Sequence, residues 1–550
     1  MKKTCCLRTI PILLFLLAVI PMAVPVQASN LDTIGVTLLR MVTNVDGTGI
    51  RVAQPEASST NDPPDFEVNP ANGSVQQPIG LFIYISNNVS TNYFPNNLGT
   101  ESGHADTVAL YFYGLPGGVA TNIARVDNYY ADYFVQVSAI ETPLTTNYTV
   151  SLPSSNIDDP IVNQSFIFAE ADGSSAPINE QEAIDSAYDN YAAQYNTLFV
   201  SGAGNGTPVY VSPPSTCYNG ICVGAYFDGI NYSSIGPTLD NGRAKPDITA
   251  PETVTSFSTP QVAGAAALLM QAGLRGDGGS DTNADDDIRT VKALLLNGAI
   301  KPADWTNNPP SPLDPRYGAG VLNVFNSYEQ LAGGEHGYIA TTSVPASDAH
   351  PPNGASGTIG TLSGWDFNTN TSGSSSDTVN HYYFDVTNSG DNATFAAAAT
   401  LVWNRQQNQT DINNLNLFLY NAANSNLVAC STSLVDNVEH IWVPQLPQGR
   451  YDLQVWKAGG IPDATIVSSA ETYALAWEFF CTSLNVAQSD TNVVLTWPIY
   501  PDGFVVQSAT NLVPPVVWNT LNVTPIVTSN QNQVTFATTN TSQFFRLQMQ

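Results

Sequence analysis

The chain has 550 residues, of which 43% are hydrophobic and only 11% are charged, and its formal net charge is −29. This length predicts two to four domains, and the apolar content is sufficient for large cores. The acidic charge argues against nucleic acid as a partner, because phosphates would be repelled, and it disfavours an anionic membrane surface.

The N-terminal 28 residues have the pattern of a secretory signal peptide. Basic residues precede an apolar run, which ends at the small-residue cleavage site Val26-Gln27-Ala28. The alternative is a membrane anchor, which Pro21, Pro25 and the short apolar run disfavour. No later apolar run is long enough to span a bilayer. We therefore expect a secreted, extracellular protein with no integral membrane segment once the signal is removed.

Export permits disulfide bonds, and four cysteines follow the signal: Cys217, Cys222, Cys430 and Cys481. Cys217 and Cys222 flank a turn-like stretch, so they either close a small loop or remain two buried thiols. Cys430 and Cys481 are a second potential pair, and the sequence leaves their state open.

The composition divides the rest of the chain into three parts. Residues 29–335 mix short β-rich runs with Ala- and Leu-rich helices, which predicts an α/β domain with a mainly parallel sheet. Residues 340–481 alternate with period two and predict an all-β sandwich. Residues 483–550 predict a small C-terminal all-β module. Because a Gly-rich stretch links the first two parts, we expect few contacts between them.

The stretch "TSFSTPQVAGAAALL", residues 255–269, contains the first candidate site residue. Pro260 suits a first helical turn and places Ser256 at the helix N-terminus. There the helix dipole and free backbone N–H groups favour developing negative charge, as the nucleophile of an acyl-transfer enzyme requires. The alternative is that Ser256 or Thr255 only caps the helix.

This stretch resembles the nucleophile motif of the subtilisin-like serine peptidases, G-T-S-x-A-T-P-x-V-A-G. "KPDITAP" at 245–251 resembles the family segment K-P-D-I-x-A-P, and "YGAGVLNV" resembles its closing G-x-G-x-V-N stretch. The resemblance covers roughly residues 30–335. It implies a subtilisin-like fold and a serine endopeptidase that acts on protein or peptide substrates, with Ser256 as the nucleophile.

The resemblance also implies a general base and an oxyanion donor upstream of Ser256. "SGHADTVALYFYG" resembles the family's histidine motif, and His104 is the only histidine before residue 335. Imidazole suits a base that works near neutral pH. "FVSGAGNGTP" resembles the motif A-A-G-N-x-G, which gives Asn205 the oxyanion role beside the backbone N–H of Ser256. The alternatives are a packing or surface histidine and a turn asparagine.

The third triad position departs from the family, which uses an aspartate after its first strand. "GIRVAQPEAS" aligns so that Glu56 takes this position, and a glutamate can also accept the imidazole N–H. The alternative carboxylates are Asp46, Asp62 and Asp65. Val254 replaces the glycine that precedes Thr-Ser in the family.

No cofactor is expected to be needed for the chemistry, and the oligomeric state is undetermined. The acidic run at 276–287 offers oxygen ligands for structural calcium, although its spacing is not that of an EF-hand. The alternative is a solvated loop that caps a helix starting near Asp287. We find no zinc constellation.

Residues 340–480 resemble the pre-peptidase C-terminal type of β-sandwich found behind secreted bacterial peptidases. The sequence therefore supports two functions. The first is a secreted serine endopeptidase that forms an acyl-enzyme. The second is a catalytically weak or inactive subtilase-like protein that binds a surface or matrix. The joint presence of Ser256, His104 and Asn205 favours the first, which we expect, whereas Val254 in place of Gly, Glu56 and the lack of the family's usual propeptide favour the second.

Overall fold

The computed structural model describes most of residues 30–549. The stretches it leaves out are 61, 142–145, 171–172, 207–208, 340–350, 352–355, 373–376, 388–394, 460–466, 482–483, 490–491, 500–501, 514–515, 529–530 and 538–542. The predicted signal peptide, residues 1–28, lies outside the described residues. Among the helices that the structure describes, none is long and apolar enough to cross a membrane.

The α/β domain contains nine α-helices within the described residues. They are α1 Asn30–Thr33, α2 Val36–Thr43, α3 Gly103–Phe112, α4 Ala131–Phe134, α5 Ile178–Tyr195, α6 Thr255–Leu274, α7 Thr282–Asp285, α8 Ile288–Asn297 and α9 Val324–Ala332. A short 3-10 helix spans Ile79–Leu81. The strands are β1 Arg51–Glu56, β2 Asp65–Glu67, β3 Phe82–Ser86, β4 Val89–Thr91, β5 Thr100–Glu101, β6 Arg125–Tyr130, β7 Gln136–Glu141, β8 Thr146–Ser151, β9 Ile161–Gln164, β10 Leu198–Gly202, β11 Ile221–Phe227, β12 Ile230–Asn231 and β13 Ile248–Ala250.

A nine-stranded sheet forms the centre of this domain. Its order is β12-β11-β10-β9-β1-β6-β3-β4, and β13 pairs with β11. All pairings are parallel except β11 with β12 and β3 with β4 at the two edges. The predicted α/β domain with a mainly parallel sheet is therefore confirmed.

Helix α6 is buried on nearly all sides, which explains why its sequence is almost wholly Ala, Val, Gly and Leu. It packs closely against the end of α3 and the loop that follows, because a Cβ on Gly264 would lie 3.3 Å from the carbonyl oxygen of Phe112 and 2.6 Å from Cβ of Val119. The helix begins at Thr255, so Pro260 is its sixth residue. The prediction that Pro260 lies in the first turn is therefore wrong, whereas Ser256 does lie in that turn.

The sandwich consists of two four-stranded antiparallel sheets, β14-β21-β16-β19 and β15-β20-β17-β18. The strands are β14 Ser363–Thr371, β15 Thr378–Val386, β16 Phe395–Trp403, β17 Leu415–Asn421, β18 Asn426–Ser431, β19 Val438–Leu446, β20 Gly449–Lys457 and β21 Ala470–Phe480. The C-terminal module contains β22 Asn485–Ser489, β23 Asn492–Pro498, β24 Phe504–Ala509, β25 Asn519–Thr520, β26 Ile526–Thr528, β27 Gln531–Ala537 and β28 Phe544–Met549. After α9, the described residues form strands and no further helix.

The expectation of few contacts between the α/β domain and the sandwich is wrong. Trp365 of β14 is 1% exposed and belongs to the same apolar core as helices α6, α8 and α9. Arg405 pairs with Asp189 of α5 at 2.7 Å, and both side chains are buried. Asn437 donates to the carbonyl of Tyr218 at 2.9 Å. The Gly-rich linker shows where the chain passes between the two parts, but it carries no information about the surfaces that meet elsewhere.

The remaining expectations concern the cysteines and the acidic run. Cys217 and Cys222 are buried thiols, and burial raises the pKa of Cys222 to about 12. Asp281 caps α7, and Asp287 caps α8 by accepting from the N–H of Arg289. Within the described part of the chain, no three His, Cys, Asp or Glu side chains are grouped to hold a metal ion. The acidic run therefore functions as a pair of helix caps, and calcium remains an untested expectation.

Candidate active site

The candidate site lies where the carboxyl ends of neighbouring parallel strands meet. Glu56 ends β1, Ser165 follows β9 and Asn205 follows β10. Ser256 lies in the first turn of α6, six residues after the end of β13. Open α/β sheets collect their functional groups at this edge, so the topology alone brings these four residues together.

Glu56 and His104 are in direct contact. The Nδ1 atom of His104 lies 2.8 Å from Oε2 of Glu56, and the Glu56 side chain is 1% exposed. The other carboxylate oxygen accepts from Nε2 of Gln54 at 2.8 Å. The carboxylate therefore fixes the imidazole proton on Nδ1 and leaves Nε2 as an acceptor. The His104 side chain is 41% exposed, so this second nitrogen is accessible.

The environment of His104 makes it a stronger base than an ordinary histidine. Burial alone would lower its pKa, but the hydrogen bond to Glu56 and the charge of that carboxylate act in the opposite direction and prevail. The net pKa of His104 is raised above the ordinary value of 6.5. His104 is in the first turn of α3, whose N-terminus is capped by the Ser102 hydroxyl.

Pro260 leaves the backbone carbonyl of Ser256 without its usual helical hydrogen bond. A proline has no N–H, so the carbonyl four residues earlier, that of Ser256, has no intrahelical donor. The hydroxyl of Ser165 supplies the missing bond and donates to the Ser256 carbonyl at 2.9 Å. The end of β9 is thereby attached to the turn that carries the candidate nucleophile.

Asn205 caps the same helix from a different segment. Its Oδ1 accepts from the backbone N–H and from the hydroxyl of Thr255, both at 2.8 Å. Val254, at the N-cap position, has extended backbone with φ −140° and makes no side-chain cap. Valine is therefore tolerated where the family has glycine. Because Oδ1 is bound to Thr255, Nδ2 is the atom of this exposed side chain that can donate at the helix N-terminus.

The site has an acid half, Glu56 and His104, and a serine half, Ser256 with Ser165 and Asn205. Among the described residues no hydrogen bond joins Ser256 to His104. Among the described residues, the hydrogen bond of the Ser256 hydroxyl goes to the Ser165 carbonyl at 3.4 Å and not to His104. The His104 ring instead contacts Phe257, with ring centroids 6.0 Å apart. In substrate-free enzymes the bond between nucleophile and base is often long and shortens on binding.

The alternative carboxylates have other partners or positions. Asp46 accepts from Asn122 at 2.6 Å, and Asp65 accepts from the backbone of Ser59 at 2.6 Å. Asp62 is exposed and lies in the loop after β1. Within the described part of the chain, the carboxylate hydrogen-bonded to His104 is Glu56.

Three supporting residues were missed by the sequence analysis: Gln54, Tyr113 and Ser165. Gln54 is fully buried and accepts from the Tyr113 hydroxyl at 2.5 Å while it donates to Glu56. A signal for Gln54 was present, because a polar residue two positions before Glu56 on a strand shares its face. No comparable signal marked Ser165, whose role depends on a proline 95 positions later.

Residues 133–320 match the model of the subtilase family. The chain contains a subtilase domain. The matched range includes Asn205 and Ser256 and begins after Glu56 and His104. The family match therefore covers the segment that carries Asn205 and Ser256, whereas the pairing of Glu56 with His104 is a feature of the geometry.

Several solved structures of proteases are similar to part of this chain. The prenylagaramide maturation protease PagA is 22% identical and covers 54% of this chain and 98% of its own, with a TM-score of 0.35. The patellamide maturation protease PatA is 22% identical over 52% of this chain and 98% of its own, with a TM-score of 0.33. The MycP3 protease of the type VII (ESX-3) secretion system is 19% identical over 56% and 90%, with a TM-score of 0.33. No curated protein matches the chain.

Proposed function

We propose that the chain is a secreted serine endopeptidase that hydrolyses peptide bonds through an acyl-enzyme. The observation that carries the proposal is the buried Glu56 bound to Nδ1 of His104, beside a helix N-terminus that presents Ser256. The subtilase domain supports a serine peptidase, and the signal-like N-terminus supports secretion.

In the proposed reaction, Nε2 of His104 takes the proton of the Ser256 hydroxyl as Oγ attacks the scissile carbonyl. The charge on the resulting oxyanion is stabilised by the backbone N–H of Ser256 and by Nδ2 of Asn205. His104 then gives the proton to the leaving amine, and the C–N bond breaks to leave an ester on Ser256. Water, deprotonated by His104, attacks this ester, and collapse of the second intermediate returns the proton to Ser256.

Each accessory contact has a place in this scheme. Glu56 holds the tautomer that presents Nε2 and stabilises the imidazolium that forms. Gln54 holds Glu56, and Asn205 combines two tasks, since Oδ1 caps the helix and Nδ2 faces the oxyanion. The bond from Ser165 to the Ser256 carbonyl positions the nucleophile.

The test is hydrolysis of a casein-like protein by the purified chain, together with release of p-nitrophenol from an activated acetate ester. We expect proteolysis and an initial burst of about one nitrophenol per active site, because the acyl-enzyme accumulates. Ser256→Ala should abolish both signals while circular dichroism stays unchanged. A folded chain that shows neither signal would contradict the proposal and would favour a binding protein without catalysis.

A further inference from the structure

Asparagine is followed directly by glycine at six positions of the chain. In such a pair the backbone nitrogen of the glycine can attack the amide carbon of the asparagine side chain, because glycine has no Cβ to obstruct the approach. The structure describes five of the pairs, and one of these five contains the candidate oxyanion donor Asn205. The six asparagines are Asn72, Asn205, Asn219, Asn241, Asn297 and Asn353.

Two of the pairs are protected by burial. The side chain of Asn219 is buried and makes three hydrogen bonds, of 2.7 to 3.0 Å, to backbone groups of Asp189 and Arg405. Asn297 is also buried, and the N–H of Gly298 is used in a backbone hydrogen bond of 3.0 Å. In both pairs the groups that would react are already bonded, and water is excluded.

The pair of Asn205 and Gly206 is open to solvent. Both residues are exposed, and within the described part of the chain the N–H of Gly206 makes no hydrogen bond. A Cβ on Gly206 would have the carbonyl oxygen of Tyr232, 3.9 Å away, as its nearest neighbour. The backbone nitrogen next to the Asn205 amide is therefore unbonded and unobstructed.

The amide of Asn205 is also activated by its partners. Its Oδ1 accepts from the backbone N–H and from the hydroxyl of Thr255, both at 2.8 Å, at the N-terminus of the 20-residue helix α6. Attack on the amide carbon places negative charge on Oδ1. Two donors and the positive end of a helix dipole stabilise such a charge, as they do for an oxyanion in acyl transfer.

We propose that Asn205 is a site of spontaneous deamidation, at which the chain converts its own oxyanion donor into a carboxylate. The backbone nitrogen of Gly206, after losing its proton to a solvent base, forms a bond to Cγ of Asn205. The bond from Cγ to Nδ2 breaks, and ammonia leaves with a proton from water. Water then hydrolyses one of the two C–N bonds of the resulting five-membered succinimide, which gives aspartate or isoaspartate at position 205.

The consequence for activity rests on the proposed peptidase function. A carboxylate at position 205 has no N–H₂ group, so one of the two oxyanion donors is lost, and its charge repels the oxyanion. An aspartate there can still accept from the N–H of Thr255, so α6 keeps its cap. The modification therefore limits the time for which the enzyme stays active without unfolding it.

The first test follows the chemistry in the absence of turnover. The full-length Ser256→Ala protein is kept in heavy-oxygen water at mildly alkaline pH, digested in ordinary water and mapped by mass spectrometry, beside a urea-unfolded sample. We expect a carboxylate with one heavy oxygen atom at position 205 in both samples, and at Asn219 and Asn297 only in the unfolded one. Retention of the Asn205 amide in the folded protein, over the time in which the unfolded chain loses it, would overturn the proposal.

The second test asks whether the helix N-terminus assists the reaction. Thr255→Val removes the hydroxyl donor and keeps the backbone N–H, and we expect the conversion of Asn205 to slow by about tenfold or more. Asn241 in the same sample is the internal control, because it is exposed and precedes a glycine but its Oδ1 accepts from Nε of Arg243 at 3.0 Å. An equal slowing at Asn241, or none at Asn205, would overturn the role of the helix.

A pair of glycine variants tests the attacking nitrogen. Gly206→Ala should slow the conversion of Asn205, because the methyl group obstructs the approach. Gly242→Ala is the matched control, since both glycines are exposed and have positive φ, +75° and +85°. It should leave the rate at Asn205 unchanged, and equal rates in the two variants would contradict the proposed step.

The third test links the modification to activity. Samples of the ageing active chain are assayed for ester turnover and mapped at Asn205. We expect turnover to fall in proportion to the fraction converted, while circular dichroism stays unchanged. Full turnover by a converted chain would overturn the functional consequence. A chain that shows no turnover even when fresh would contradict the peptidase proposal, and the mapping of Ser256→Ala would still decide whether Asn205 is modified.

Discussion

The two halves of the candidate site are built differently. Glu56 is 1% exposed and is held by both Gln54 and His104 at 2.8 Å. Ser256 is half-buried, and within the described part of the chain its hydroxyl bonds to the carbonyl of Ser165 at 3.4 Å. The acid half is thus assembled inside the core before any substrate arrives, whereas the serine half is fixed through its backbone and leaves the reacting oxygen free to turn.

The difference shows where rigidity is useful. A buried carboxylate that lost one partner would be costly, so the acid half needs all its hydrogen bonds. In the proposed mechanism the Ser256 hydroxyl must change partners, which suits a loosely bound side chain on a turn whose backbone is held by Ser165 at the Ser256 carbonyl and by Asn205 at the Thr255 N–H. Substitutions in the two halves should therefore have separable effects on turnover and on stability.

The largest expected effect in this comparison is at Glu56. Glu56→Gln keeps the shape but loses the charge and permits the wrong imidazole tautomer, and we expect turnover to fall by about 10⁴-fold. Glu56→Asp keeps the charge with a shorter reach and should lose less. The measurement is casein hydrolysis by the three proteins, with circular dichroism as the folding control. Retention of most activity by Glu56→Gln would place the acid elsewhere and reopen Asp46, Asp62 and Asp65.

The acid half also predicts a pH dependence. The base acts only when neutral, so activity should fall as pH decreases through the pKa of His104, which Glu56 raises above the ordinary 6.5. The acidic limb of kcat/KM should therefore lie above pH 6.5. In Glu56→Gln the residual activity should have its limb at lower pH, because the causes that raise the pKa are removed. A limb that does not move would mean that another group controls it.

In the serine half, substitution of Asn205 should have a smaller effect than substitution of Glu56. The effect should separate into a loss of kcat and a loss of stability. Asn205→Ala removes the oxyanion donor and the helix cap, so we expect kcat to fall by about 10²–10³ and stability to fall by about 1 kcal/mol. Asn205→Asp keeps an acceptor for the Thr255 N–H but has no N–H₂ group. It should preserve stability while losing kcat, as measured by steady-state kinetics and thermal unfolding. Equal losses of stability in both variants would contradict the double role.

Removal of the contact between Ser165 and the Ser256 carbonyl should have a smaller effect on kcat than removal of Asn205. Ser165→Ala leaves that carbonyl without a donor, and we expect about a tenfold loss of kcat and about 1 kcal/mol of stability. Pro260→Ala restores an N–H four residues after Ser256, so the double variant should recover part of both losses. A double-mutant cycle of kcat and unfolding free energy measures this coupling. Purely additive effects would show that the two residues act independently.

The smallest effect is expected at Tyr113, whose hydroxyl reaches Glu56 only through Gln54. Tyr113→Phe removes one hydrogen bond to the Gln54 amide oxygen, and we expect a few-fold loss of kcat with KM unchanged. The matched control is Tyr111→Phe, which removes the hydroxyl of the tyrosine two positions earlier, whose described hydrogen bond goes to Glu252. A larger loss of kcat in Tyr113→Phe than in Ser165→Ala would contradict this ranking of the two contacts.

The sequence predicts the parts of the site that have local motifs. The α/β domain followed from alternating strand and helix patterns, and Ser256, His104 and Asn205 each lie in a short recognisable stretch. Glu56 was placed by one strand alone, and its contact with His104 is present in the structure. The positions of such residues can be predicted because a strand followed by a polar residue specifies its own place at the sheet edge, and their catalytic roles stay predictions.

The rest depended on contacts that no local pattern contains. Ser165 becomes important only because Pro260 frees a carbonyl in a distant helix. The start of α6 was placed too late, since Asn205, from another loop, caps it before Pro260 is reached. The interface between the α/β domain and the sandwich follows from shape and from buried pairs such as Arg405–Asp189, which a composition break at the linker does not reveal.

The central claim is that Ser256 is an activated nucleophile, and covalent labelling tests it most directly. The full-length chain is treated with a fluorophosphonate, and the modified residue is located by peptide mass spectrometry. The account predicts modification at Ser256, lost in Ser256→Ala and strongly slowed in His104→Ala, with both variants folded by circular dichroism. Labelling at another residue, or no labelling of the folded protein, would contradict it.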